Sequence, residues 1–177
     1  MSSPTRTAKR GTFEEFRDVY DGVASGALLM NALTNRDADA RADVAALLLD
    51  DGADASVVEY GQNALSVLIG AHRYVGARDG ELFARLVVGG ANVNYRERRG
   101  QLVIHLVAAA RVESEDMRAP MYAALFRHPD LDLSKPVNPR NVEPTMLEWL
   151  EAFAAQRRPD RHRILAGYVE GNREARL

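Results

Sequence analysis

Apolar residues fall in short bursts along this chain, each long enough for two or three turns of helix, and polar stretches with glycine or proline separate them. In "TFEEFRDVY", Phe13, Phe16 and Tyr20 share one helical face, the periodicity of an amphipathic helix. Thr12 and Glu15 have capping-box spacing, so each side chain can satisfy a free backbone N–H at the start of that helix. Two later segments, "VAALLLDDGADAS" (44–56) and "FARLVVGGANVN" (83–94), repeat one pattern: a short helix, then Gly-Ala-Asp or Gly-Ala-Asn, then a small polar residue. After each comes a turn, a further glycine (Gly61, Gly100) and a new apolar helix, "NALSVLIGA" and "LVIHLVAAA".

Each recurring residue type has a physical task. Gly52 and Gly90 lie just past a helix end, where a left-handed backbone penalises a Cβ. Leu47, Leu48 and Leu49, and then Leu86, Val87 and Val88, supply a face to bury. Asp54 or Asn92 can bond its own backbone and hold the turn. No such unit buries its face alone, so neighbouring units must stack. Helices are predicted to begin at Ala27, Asn63, Leu102 and Thr145, at spacings of 36, 39 and 43 residues. The excess falls in "TNRDADARAD", "GAHRYVGARDGE" and "ARVESEDMRAP", which are expected to be long surface loops. At the end of the chain, "EPTMLEWLEAFAAQRR" and "DRHRILAGYVEGN" predict two helices separated by Pro159. Met146, Leu147, Leu150 and Phe153 form their inward stripe, with Trp149 beside it, and Arg157, Arg158, Arg161 and Arg163 give a polar terminal face.

The chain resembles the ankyrin repeat, a turn followed by two antiparallel helices in a unit of about 33 residues. "GANVNYRERRGQLVIHL" follows the family pattern G-A-D-V-N-x-x-D-x-x-G-x-T-P-L-H-L, with Asn92 for Asp, Leu102 for Thr, Val103 for Pro, and His105 at the histidine. The match is good over 83–110 and fair over 27–69, and only the apolar skeleton persists over 117–150. The resemblance implies an all-α solenoid of about four helix-turn-helix units with helical caps and long inter-helix loops. Residues 1–11 are expected to be disordered, and residues 12–177 to form one repeat domain.

Composition narrows the setting. The chain has 177 residues, of which 46% are hydrophobic, a normal globular composition for one domain. It has no cysteine, which excludes disulfides and thiolate metal sites. No apolar run approaches the roughly 20 residues that cross a bilayer, and the basic start "MSSPTRTAKRG" precedes no apolar signal-peptide core. A cytoplasmic protein without membrane attachment is expected. The net charge of -2 provides no global field for nucleic acid.

Motifs for chemistry are lacking. His105, as the motif histidine, is expected to bond backbone in the turn region rather than act as a general base. His72, His128 and His162 share no spacing that suggests a metal, and no H-x-x-x-H or H-E-x-x-H pattern exists. Asp37, Asp39 and Asp43 lack the twelve-residue calcium loop and read as a solvated, helix-capping acidic stretch. "GARDGE" lacks the lysine of a phosphate loop. No Ser-His-Asp or Cys-His grouping is evident, so neither an enzyme nor a cofactor is expected.

Binding is the expected role, because stacked repeats make a rigid concave surface. By resemblance, contacts come from the hairpin tips and the starts of the first helices: Glu59, Tyr60 and Gln62; Tyr95, Arg96, Arg98, Arg99 and Gln101; Arg140 and Asn141. The arginines at 96, 98 and 99 suit carboxylates; the alternative is a solvated turn partly neutralised by Glu97. The order "FEEFRDVY", "LLMNALTNRDADARADVAALLLDDGAD", "NALSVLIGA", "GANVN", "LFRHPDLDL" is also similar to a bacterial ankyrin family often encoded beside polymorphic toxins. That implies an immunity protein that blocks a toxin, monomeric when free; an adaptor or regulator of an endogenous enzyme is the alternative.

Overall fold

The structure, a computed structural model, describes residues 3–72, 74–156 and 162–174. Among these the regular structure is helical apart from one two-stranded hairpin and two isolated bridges. Two short helices come first, α1 (Pro4–Arg10) and α2 (Phe13–Arg17). Four helix pairs follow: α3 (Gly26–Leu33) with α4 (Ala38–Asp50), α5 (Ala64–Gly70) with α6 (Asp79–Val88), α7 (Val103–Ala109) with α8 (Ala119–Phe126), and α9 (Met146–Ala154) with α10 (Arg163–Glu174). The first helices of successive pairs touch one another, and so do the second helices, so the pairs form two parallel layers. One apolar core runs between the layers from Ala8 to Val169. The predicted helix starts fall within two residues of the observed N-caps Ser25, Asn63, Leu102 and Thr145. Asn63 and Thr145 both build capping boxes.

The repeated Gly-Ala-Asp/Asn segments perform one operation twice. Gly52 and Gly90 are left-handed, with φ of 88° and 96°. The next amides reach back over the helix end, Ala53 N–H to the Leu48 carbonyl at 2.8 Å and Ala91 N–H to the Leu86 carbonyl at 3.0 Å. This is the Schellman arrangement, which satisfies carbonyls that a helix end leaves open. A carboxylate or amide turn follows: Asp54 accepts from Ser56 N–H, and Asn92 from Asn94 N–H, each at 2.8 Å. The third unit lacks the glycine but keeps the turn, with Asp132 accepting from Ser134 N–H at 3.0 Å. In all three turns the middle residue, Ala55, Val93 or Leu133, is buried. The polar positions shape the turn so that an apolar residue points inward.

Three expectations need correction. Residues 3–11 are not disordered: Ser3 caps α1 from outside, Pro4 occupies the first helical position, and Thr7 and Ala8 are buried. The Asn35 amide donates to the carbonyls of Ala8 (3.0 Å) and Gly11 (2.9 Å), which ties α1 to the rest of the fold. The acidic stretch after α3 is not a long loop. Asp37 accepts from Asp39 N–H and Ala40 N–H, both at 3.0 Å, and starts α4 at once, so most of "RDADARAD" is helix. Finally, "GARDGE" is not wholly a surface loop, because Asp79 is buried against Arg41. Within the second and third pairs the helices are joined by longer connections, 71–78 and 110–118, the latter with a 3₁₀ turn at Glu115–Arg118. At the far end Met146 and Leu150 are buried, while Leu147, Trp149 and Phe153 pack against the core from the side and Arg163 is exposed. Arg157, Arg158, Pro159 and Arg161 lie outside the described residues.

The Arg41–Asp79 pair is bidentate, Nε to Oδ1 at 2.9 Å and Nη2 to Oδ2 at 2.6 Å, and both residues are about 1% exposed. Arg41 Nη1 also donates to the Asn35 carbonyl at 2.6 Å, and Asp79 Oδ2 accepts from Gly76 N–H at 2.7 Å. A Cβ on Gly76 would sit 2.7 Å from that of Ala38 and 3.0 Å from Arg41 Nη2, so the loop comes this close only as glycine. Asp79→Asn removes the charge facing a buried guanidinium and is expected to destabilise the fold by about 3–5 kcal/mol in urea unfolding, as for breaking one side of a buried pair.

Candidate functional site

Each of the last three helix pairs is preceded by a hairpin or a hairpin-like loop. In the first, Val58 pairs with Asn63 and Glu59 with Gln62. Its tip is Tyr60 (φ 49°) and Gly61 (φ 71°), the two left-handed residues of a type I′ turn. The second closes on the Arg96–Leu102 bridge, and the third on the Pro136–Thr145 bridge. Glu97 is buried inside the second turn, where its Oε1 accepts from Arg99 N–H at 2.8 Å and Gln101 N–H at 3.1 Å.

The hairpins are bonded to one another. Arg98 N–H donates to the Gly61 carbonyl at 2.9 Å, joining the first tip to the second. The Arg96 guanidinium donates to the carbonyls of Pro136 (2.6 Å), Val137 (3.0 Å) and Gly100, joining the second to the third. Below the tips, the Asn63 amide donates to the Asn92 carbonyl at 3.0 Å. Asn94 likewise donates to the Asp130 carbonyl and accepts from Asp132 N–H. Adjacent units are therefore held by polar bonds as well as by the core.

The geometry sorts the predicted contact residues. Tyr60 is 90% exposed, and Arg98, Arg99, Arg140 and Asn141 are exposed. Glu59 and Gln62 are half-buried partners in the hairpin ladder. Gln101 is half-buried and lines a groove of about 520 Å³ between the second and third hairpins, with Arg98, Arg99 and Arg140 at the same groove. Arg96 and Tyr95 differ from expectation. Arg96 is not a free contact, because three carbonyls occupy its guanidinium. Tyr95 is partly buried and packs against the core rather than standing at the tip. Val58 and Val142 are contact candidates that sequence periodicity missed. Both are exposed, Val142 at 85%, and both belong to no apolar stripe, which was the available signal.

His105 also departs from expectation. Its ring lies against Trp149, with centroids 4.3 Å apart, and its Nδ1 is buried without a hydrogen-bond partner. Burial, and then the nearby Arg96 charge, hold its pKa below the usual imidazole value. His72 is also held low, chiefly by burial, although its Nε2 lies 2.7 Å from the Leu33 carbonyl. Among the described residues there is no group of three side chains able to hold a metal, and no helix long and apolar enough to cross a membrane.

Comparison with protein families and with curated proteins returns no match. Among solved structures, the chain is similar to a functionally unknown protein from Leptotrichia buccalis C-1013-b. The two are 19% identical, with a TM-score of 0.69 over 97% of this chain and 94% of that one. At that identity the likeness shows a shared fold alone.

Left-handed backbone costs an ordinary residue about 1–2 kcal/mol, and asparagine tolerates it better. Tyr60 is almost fully exposed, so it recovers little of that cost by burial. Tyr60→Asn is therefore expected to stabilise the chain by about 0.5–1 kcal/mol in chemical denaturation. For pH, a histidine whose folded-state pKa is lowered binds fewer protons folded than unfolded. Its contribution is complete above the unfolded value near 6.5 and is lost as pH falls from there toward the folded value. The urea midpoint is expected to fall between pH 7.5 and 5.5, and to fall less in a His72→Gln/His105→Gln double variant. An equal fall in that variant would assign the loss to other groups.

Proposed function

We propose that the chain is an ankyrin-repeat protein-binding module whose working surface is the row of hairpin tips. Stacked helix pairs, hairpins between them, and the Gly-Ala-Asp and Gly-Ala-Asn endings at Gly52 and Gly90 support the ankyrin reading. One observation carries the binding role: a strained, exposed tyrosine stands beside exposed arginines on backbone that neighbouring hairpins lock in place. Strain of this kind persists where the surroundings enforce it, and it concentrates at functional positions. A fixed backbone loses little freedom on association, so contacts at the tips convert efficiently into affinity. Tyrosine and arginine are also the residue types that dominate binding energy at protein interfaces.

In its most concrete form the module is a bacterial immunity protein. It covers the active site of a cognate toxin in the cytoplasm and performs no chemistry itself. The support is the order of segments from "FEEFRDVY" to "LFRHPDLDL" together with the exposed tips. Co-expression with the toxin encoded beside it is expected to restore growth, and the purified pair to bind with Kd on the order of nanomolar, as in other tight protein complexes. Arg98→Glu is expected to weaken that complex at least tenfold by isothermal titration calorimetry while leaving the thermal midpoint within a degree or two. A neighbouring toxin that neither binds nor is neutralised would sink the immunity reading.

A further inference from the structure

We infer that the groove between the second and third hairpins takes an acidic segment of the protein partner, a stretch of aspartate or glutamate side chains; this rests on the binding reading above. Arg98, Arg99 and Arg140 converge on the groove, and no carboxylate lines it. Elsewhere three arginines that reach across to another helix are answered by an aspartate: Arg41 by Asp79, Arg78 by Asp43 at 2.7 Å, Arg85 by Asp50 at 2.6 Å. Among the described residues none of the three groove arginines forms an ion pair. The nearest acid in sequence, Glu97, turns its Oε1 inward to the Arg99 and Gln101 amides.

The polar lining suits an extended anion. Guanidinium groups present forked donors that match carboxylates. Asn138 uses its Oδ1 to accept from Arg140 N–H at 3.0 Å, which leaves its amide N–H groups as donors beside that arginine. Positive charge is thus concentrated in one groove of a chain whose net charge is -2. The same net charge gives no general field for a long polyanion such as nucleic acid, so attraction is confined to the groove and suits a short acidic stretch.

Fluorescence anisotropy with a labelled ten-residue Asp/Glu peptide, against an Asn/Gln peptide of equal length, tests the inference. Saturable binding of the acidic peptide alone is expected, weakened several-fold between 50 and 300 mM salt. It should weaken at least tenfold in Arg98→Glu/Arg140→Glu, with circular dichroism unchanged. Arg127→Glu, an exposed arginine outside the groove, is expected to change the affinity less than twofold. No saturable binding, equal binding of the neutral peptide, equal losses in the two charge-reversal proteins, or tighter binding of a single-stranded oligonucleotide would each overturn the proposal. A protein partner whose affinity survives Arg98→Glu/Arg140→Glu would overturn this use of the groove and the contact role of Arg98, and leave a binding module that works through other residues. Failure to find any protein partner at all would instead remove the reading on which it rests.

Discussion

Arg41 and Asp79 meet in the interior from different helix pairs, and the chain of polar contacts through them decides how the first part of the stack fits together. The α1 carbonyls of Ala8 and the neighbouring Gly11 accept from the Asn35 amide, the Asn35 carbonyl accepts from Arg41, and Arg41 grips Asp79, which holds the Gly76 amide. Hydrophobic burial alone would tolerate small slips between helix layers, since it has no direction. A buried guanidinium has direction, because its forked donors bond well only in one relative placement. Such pairs add little net stability once desolvation is counted, and their best-attested use is to specify one arrangement over others. Here the arrangement specified is the position of the α5–α6 connection relative to α1 and α4.

That placement reaches the hairpin edge through short, stiff links. Helix α5 begins immediately after the first hairpin, and its cap residue Asn63 bonds both Ser66 and the Asn92 carbonyl of the next unit. The second hairpin bonds the first through Arg98 N–H and the third through Arg96. A tyrosine can remain left-handed at the first tip because both its strand partners and the neighbouring hairpin fix the turn around it. The same bonding that makes the edge rigid thus pays the conformational cost of presenting the tyrosine.

Most of the helical frame was legible in the sequence because its boundaries are set locally. Capping residues such as Asn63 and Thr145, the glycines at 52 and 90, and apolar faces with helical period each act within a few residues of themselves. What escaped depends on partners far along the chain. Helix α1 has seven residues and no apolar stripe, too short to stand without tertiary contacts, so only the Ser3-Pro4 start signalled it. Arg41 and Asp79 are 38 residues apart, and nothing in a single sequence marks two charges at that separation as a pair. His105 matched a family pattern, yet the ring it meets belongs to Trp149, in the next repeated unit.

The arginines show the same limit most sharply. Arg96, Arg98 and Arg99 share one polar stretch and look equivalent by composition, but the hairpin separates their tasks. Arg96 sits in the bridge opposite Leu102, with its side chain directed to the third hairpin, whereas Arg98 and Arg99 occupy the exposed turn. A lysine could not replace Arg96 on equal terms, since one ammonium lacks the planar fork that reaches several carbonyls at once. In a chain with only two lysines, the same residue type therefore serves both as internal fastener and as surface charge. Which of the two an arginine becomes is decided by whether carbonyls or solvent stand within reach of its guanidinium, and that is a property of the stacked hairpins rather than of the residue.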